Sequence, residues 1–212
     1  MRYTSQRFNN NLNDVIFEGS GKYDIPIIEP ERWVDCEWIG FNYAATCKDR
    51  ESKGVHFFVD DYQFERIWRD WNRYASMLSQ FSAVMTPDFS TFTDWPVAVQ
   101  LWNHYRKHFI GAYLQSQGLI VYPTISWSDE SSYEWCFDGE PKGGTVCVSS
   151  VGTQNNAESK QLFLNGYQEM LQRLDPQTII FYGNVPIECG GNIVKIKAFQ
   201  DKFREAKIDD CS

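Results

Sequence analysis

From residue 38 onward, short apolar runs alternate with longer amphipathic stretches. Val55-His56-Phe57-Phe58-Val59 is a compact apolar run that ends in Asp60-Asp61, which predicts a strand and then a helix capped by Asp61. Phe64, Ile67, Trp68, Trp71, Tyr74, Ala75 and Leu78 recur at helical spacing and predict one continuous helix with a broad buried face. Residues 82–85 read as a strand. Pro87 then pushes Thr86 towards extended geometry and opens the loop Pro87-Asp88-Phe89-Ser90.

Asp94 and Pro96 mark the start of a second helix, and Gly118 marks its end. Its predicted buried stripe is Ala98, Leu101, Trp102, Tyr105, Phe109, Ala112 and Tyr113. Strands are predicted at 119–125, 145–149, 178–182 and 193–196, and an earlier one at 38–43. Asn155 or Asn156 caps a third helix, which Pro176 closes. The alternation predicts an α/β fold, mostly a parallel sheet built of βα units with right-handed crossovers. A full eightfold barrel takes about 250 residues. With 212 residues and three long helices, a partial or distorted TIM-barrel-like arrangement is expected, with an open three-layer α/β sheet as the alternative.

The expected organisation is an irregular N-terminal arm over 1–35, a single α/β domain over 36–198 and a charged helical tail over 199–212. Within the arm, Ile25-Pro26-Ile27-Ile28 is expected to pack over the domain. Hydrophobic residues make up 42% of the chain, enough for a sizeable core, and eight Trp suggest aromatic packing between layers. The net charge of −8 argues against a nucleic-acid face, which needs clustered Lys and Arg. Arg106/Lys107 and Arg66/Arg69/Arg73 read as solvated helix faces. No window reaches the ~18 apolar residues of a membrane span, and the N-terminus has no apolar export run, so a cytoplasmic protein is expected. The cysteines show no CxxC spacing, and Cys136 and Cys147 read as small core residues.

In parallel α/β folds, ligands bind at the carboxyl ends of the strands. Those ends gather Asp60 and Asp61, then Asp88 and Ser90, then Trp127 and Asp129, then Ser149 and Ser150, and finally Tyr182 and Asn184. With Asn103 and Arg106 on the neighbouring helix, the candidate ligand-binding set is Asp88, Ser90, Asn103, Arg106, Trp127, Asp129, Ser149, Ser150 and Asn184. The competing reading is that Asp and Ser after strands only cap the next helix. Arg106 either grips an anionic group or, as favoured, pairs with Asp88 or Asp94 to hold the loop. No cofactor motif is present; a divalent metal is the one addition a carboxylate pair from Asp60, Asp88, Asp129 and Asp138 would admit. His104 and His108 lie one turn apart, beside the stripe and partly exposed. They lack the intervening Glu of zinc proteases, so no metal is assigned. The loop 139–144 lacks P-loop order and reads as a lid.

Several motifs occur in a fixed order: Thr86-Pro87-Asp88-Phe89-Ser90, Gln100-Leu101-Trp102-Asn103-His104-Tyr105-Arg106, Trp127, Phe137-Asp138-Gly139, Ser150-Val151-Gly152 and Tyr182-Gly183. On these motifs the chain, over roughly 36–185, resembles a domain-of-unknown-function family carried by bacteria, phages and plasmids. The resemblance implies a phage or mobile-element context and supplies no reaction and no catalytic residues. Two functions are therefore carried forward. One is a pocket for a nucleotide-like or sugar-like polar ligand at the strand ends, with or without catalysis. The other is a non-enzymatic protein that binds a host partner, for example a defence component.

Overall fold

The computed structural model describes residues 15–198, and in it the apolar runs become parallel strands that follow one another in chain order. A small antiparallel hairpin, β1 (Gly19–Ser20) and β2 (Ile25–Pro26), precedes them. The first parallel sheet is β3 (Glu37–Gly40), β4 (Lys53–His56), β5 (Ala83–Met85) and β6 (Val121–Tyr122). The second is β7 (Thr145–Ser149), β8 (Thr178–Tyr182) and β9 (Ile193–Ile196). An isolated bridge, Thr124 to Cys147, joins them. This is the α/β build of parallel βα units. Among the described residues no pairing between β9 and β3 closes a barrel, in keeping with the open-sheet alternative. The sheets nonetheless curve: the His56 and Phe58 rings each lie 4.8 Å from that of Tyr182, at the end of β8.

Among the described residues, six helices lie between the strands: α1 (Phe41–Ala44), α2 (Asp61–Phe64), α3 (Arg66–Arg69), α4 (Trp71–Leu78), α5 (Val97–Ser116) and α6 (Ala157–Leu174). The helix predicted from Phe64 to Leu78 is broken into segments, because Asp70 leaves helical geometry (φ −144°). The apolar spacing survives the break, since Phe64, Ile67, Trp71, Ala75 and Leu78 are all buried. The strand expected over 38–43 ends at Gly40, where α1 begins. The strand expected over 119–125 has only two ladder residues, because Pro123 has no N–H to continue the pairing. Its Pro123 carbonyl still accepts from Cys147 N–H at 2.8 Å. Asn156 caps α6, accepting from Ser159 N–H at 2.8 Å.

The largest departure is α5. Phe109 and Ala112 are buried as the pattern predicts, but Ala98 and Trp102 are exposed. The buried set instead includes Asn103, His104, Arg106, Lys107 and His108. The helix is covered on two sides. Its aromatic side meets α3 and α4, with Trp68 against Trp102 at 5.3 Å and Trp71 against Tyr113 at 4.0 Å. Its polar side is covered by β2 and the loop before β7. Gly111 permits the close approach of the arm: a Cβ there would lie 2.6 Å from Ile28 Cδ1. Ile25 and Ile28 are correspondingly buried. The tail expected over 199–212 lies outside the described residues. No helix among the described residues is long and apolar enough to cross a membrane.

Candidate functional site

The loop after β5 is built before anything can bind to it. Thr86 Oγ1 accepts from Thr124 N–H at 2.8 Å and meets Thr124 Oγ1 at 2.9 Å, which ties the ends of β5 and β6. Arg106 stacks its guanidinium over the Phe89 ring at 3.6 Å. Its Nη1 donates to both carboxylate oxygens of Glu65, at 2.6 and 2.8 Å, and its Nε donates to Asn103 Oδ1 at 3.1 Å. Asn103 Nδ2 in turn donates to the Ser90 carbonyl at 2.6 Å. From the other side, Asp61 accepts from Ser90 N–H at 3.1 Å and from its hydroxyl at 2.9 Å. Asp61 is therefore not the cap of α2: it lies inside the helix and its carboxylate holds the loop. Arg106 and Asn103 take the structural role, but the partner is Glu65, not Asp88 or Asp94.

With its neighbours pinned, Asp88 is left on the cavity wall with no protein hydrogen bond to its carboxyl among the described residues. Burial pushes the Asp88 carboxyl up to about 7; Lys107 opposes the rise and Asp61 adds to it. A carboxyl raised in the fold binds its proton more tightly there than in the unfolded chain. Its ionisation thus subtracts stability as pH rises from about 4 through about 7. Asp88→Asn should therefore melt at a higher temperature than the wild type at pH 8 and at a similar temperature at pH 4. Thermal melts across that range check this, and a lower melting temperature for the variant at pH 8 would contradict it.

Beneath the loop lies a fully buried ion network. Lys107 Nζ donates to the Thr124 carbonyl at 2.7 Å and to Glu140 Oε1 at 2.8 Å. His108 places Nε2 2.9 Å from the same oxygen and Nδ1 2.8 Å from the Pro26 carbonyl. His104 Nε2 donates to the Asp138 carbonyl at 3.1 Å. Burial pushes the Glu140 carboxyl up, but Lys107 and His108 outweigh it and hold it below the usual carboxylate range. Burial pushes His104 well down, and the Lys107 and His108 charges add to this, so His104 is neutral. Lys107 is thus no solvated residue, and His104 and His108 are not partly exposed; all are buried. His104, His108 and Glu140 offer ligand atoms within 4.8 Å of one another. Glu140 Oε1 already accepts from an ammonium, which opposes a cation at that oxygen, whereas Oε2 is buried without a partner among the described residues. The loop 139–144 is no lid either, since Glu140 is buried and Gly143 N–H donates to the Leu174 carbonyl at 2.8 Å.

Two cavities open at the strand ends. The larger, about 660 Å³, is lined by the carboxylates of Asp60, Asp61 and Asp88 and by aromatic rings that include Tyr43, Phe92 and Trp95. The smaller, about 350 Å³, mixes hydroxyls, among them Thr91, Thr93, Ser126, Thr153 and Ser159, with apolar side chains that include Phe89, Ile125, Trp127, Leu162 and Phe163. Asp88, Ser90, Phe92, Ser149 and Val151 belong to both.

Of the residues singled out in the sequence, Asp88, Ser90 and Ser149 therefore meet at one place. Trp127 lines the smaller cavity, with its Nε1 donating to the Leu162 carbonyl at 3.3 Å. Its indole occupies the space that a side chain at position 166 would need; a Cβ on Gly166 would lie 2.2 Å from Trp127 Nε1. Asn103 and Arg106 stay behind the loop. Asp129 lines neither cavity and caps the turn at Glu130–Glu134, accepting from Ser131 N–H at 2.9 Å. Buried Ser150 donates to the Asn184 carbonyl at 2.6 Å, and the Asn184 side chain accepts from Lys195 at 3.4 Å. Phe92 and Trp95 are absent from the sequence-derived set. The signal that could have found them is two aromatics in the polar stretch just before α5.

Comparison with known proteins fits this picture. A family model described as "Domain of unknown function (DUF4417)" matches residues 17–200. It takes in the arm from Phe17 as well as the motif-bearing segment. The "Gene 1 protein" of Mycobacterium phage L5 is 39% identical over 177 residues, spanning 81% of this chain and 76% of that protein. The "Gene 1 protein" of Mycobacterium phage D29 is 36% identical over 191 residues, spanning 87% of this chain and 69% of that protein. No solved structure matches the chain. The chain belongs to the DUF4417 family, a domain family of unknown function with phage-borne members.

Proposed function

We propose that this protein binds a small polar ligand, sugar-like or nucleoside-like, in the larger cavity at the carboxyl ends of its parallel strands. The observation that carries this is the cavity lining: three carboxylates beside aromatic faces, with no Lys or Arg among the described lining residues. Aromatic faces accept a base or the C–H face of a sugar, and the carboxylates accept from hydroxyl or amino groups. A phosphate would meet uncompensated negative charge, so the nucleoside is favoured over the nucleotide. Asn42 supports the same reading: it lines the cavity, and its Oδ1 is buried without a donor among the described residues.

The test is a thermal-shift and calorimetric screen of neutral sugars, nucleosides and their phosphates. Neutral ligands should raise the melting temperature, and Asp88→Ala and Trp95→Ala should each weaken binding about tenfold, or about 1.4 kcal/mol. Silence across all classes, or tighter binding of the phosphorylated compounds, would refute it. A second reading has its own observation. Tyr62 and Phe92, at the mouth of this cavity, are 79% and 55% exposed, as an anchor for a host protein would be. A stoichiometric host partner lost in a Tyr62→Ala/Phe92→Ala variant would favour it.

A further inference from the structure

His104 and His108 stand one turn apart on α5, and the loop before β7 brings Glu140 against them from 32 positions beyond His108. Each of the three offers a ligand atom, and these atoms lie within 4.8 Å of one another. All three residues are buried, and none lines either strand-end cavity. We propose that His104, His108 and Glu140 bind a divalent transition-metal ion of the zinc class, which fastens the N-terminal arm and the loop before β7 to α5. This stands apart from the ligand reading above and does not depend on it.

The hydrogen bonds set which atom of each residue is available. His104 Nε2 donates to the Asp138 carbonyl at 3.1 Å, which leaves the lone pair on Nδ1. His108 Nδ1 lies 2.8 Å from the Pro26 carbonyl, which can only accept, so Nδ1 carries a proton. A metal-binding histidine ordinarily gives its second N–H to a carbonyl or carboxylate in this way. His108 Nε2 then faces Glu140 Oε1 at 2.9 Å. A lone pair and a carboxylate oxygen repel at that distance unless a proton or a metal ion lies between them. Lys107 holds Oε1 at 2.8 Å, as hydrogen bonds commonly hold the second oxygen of a ligating carboxylate. Oε2, buried with no partner among the described residues, is the oxygen left for the ion. Two imidazole nitrogens and one carboxylate oxygen suit zinc and its neighbours, whereas Mg²⁺ and Ca²⁺ take oxygen. Ligands of one zinc ion stand about 3.3 Å apart, from bonds of about 2.1 Å at tetrahedral angles, so loading closes the cluster by at most roughly 1.5 Å. The ion takes the place of the proton on His108 Nε2, which leaves to solvent. The Lys107 ammonium opposes a second cation. Asp138 Oδ2, also buried without a partner among the described residues, adds negative charge two positions before Glu140.

The experiment uses the full chain, unfolded with a chelator and refolded with or without zinc, because buried ligands load as the chain folds. After desalting, elemental analysis should find about one zinc ion per chain, and the loaded protein should melt at a higher temperature than the metal-free protein. Two variants remove a ligand atom and keep the hydrogen bond of its residue. His104→Gln replaces Nε2 with an amide, and His108→Asn replaces Nδ1 with one. Each should lower zinc affinity by roughly 100-fold and remove the melting shift. If either variant does not fold, X-ray absorption of the zinc-loaded wild type decides. Imidazole and carboxylate scatterers at about 2.0–2.2 Å support the site, and a shell of oxygen alone overturns it. No zinc uptake, uptake unchanged in either folded variant, or a melting temperature indifferent to zinc would also overturn it and leave an ion network alone.

Discussion

Replacing Glu140 by alanine will destabilise the fold by about 3–5 kcal/mol at neutral pH, the usual result of removing one partner from a buried ion pair. The Glu140 carboxylate is the common acceptor for Lys107 and His108, and both are left inside the protein without it. The side chains of Lys107, His108 and Glu140 are each no more than 1% exposed, so water cannot take over. A loss of that size is a large part of a typical domain stability of about 5–15 kcal/mol, so the variant should unfold at a much lower urea concentration. Urea unfolding measures the difference. The sign with pH is set by the same group. The Glu140 carboxyl is held low in the fold, so its stabilisation is present above the unfolded-state value of about 4.5. It is lost as pH falls through the lower folded value. The gap between wild type and variant should therefore narrow in acid. A loss under 1 kcal/mol at pH 7 would show that the network contributes little.

Removing Arg106 has the second largest expected effect, and it falls on the site as much as on the fold. Arg106→Ala loses the ion pair with Glu65, the stacking on Phe89 and the orientation of Asn103 together. Because Glu65 is about one-third exposed, its charge returns to water, and the stability loss should be about 2 kcal/mol. The loop carrying Asp88 and Ser90 is then held from the Asp61 side alone. Ligand affinity should fall more than tenfold by calorimetry, and protease should cut within 86–95 sooner than in the wild type. Arg106→Lys should not restore either property, since one ammonium cannot reach Glu65, donate to Asn103 and lie flat on Phe89 at once. Wild-type affinity in that variant would show that the loop holds its shape without the clamp.

Much of the fold was legible because its signals are local. Strand runs at 55–59, 145–149 and 178–182 carry their own apolar pattern, and Asn156 and Gly118 punctuate helices through chemistry within one turn. The polar face of α5 was not legible, because charged residues at helical spacing ordinarily face water. Lys107 meets Glu140 across 33 positions, and His108 meets Pro26 across 82. Nothing near either residue announces those partners. The strand-end argument found Asp88, Ser90 and Ser149 because the topology brings those ends to one place. It could not separate them from Asp129, Ser150 and Asn184, since the same residue types close turns. The motifs behind the family resemblance have a physical counterpart. Phe89 and Ser90 of one sit directly on Arg106 and Asn103 of the next. Gly139 of a third, at φ +75°, leaves room for the Pro26 carbonyl at the edge of the buried network.

The two sheets meet along one seam, the Thr124–Cys147 bridge and its two flanking hydrogen bonds of 2.8 Å. Elsewhere adjacent strands share longer ladders, such as the five residue pairs between β7 and β8. Among the described residues, backbone pairing between the two sheets thus rests on a single residue pair, and side chains such as His56, Phe58 and Tyr182 carry the rest of the join. Lys107, bonded to the Thr124 carbonyl, acts as a rivet through it. The charged group that looks least suited to a protein interior is thus placed where mechanical continuity is thinnest.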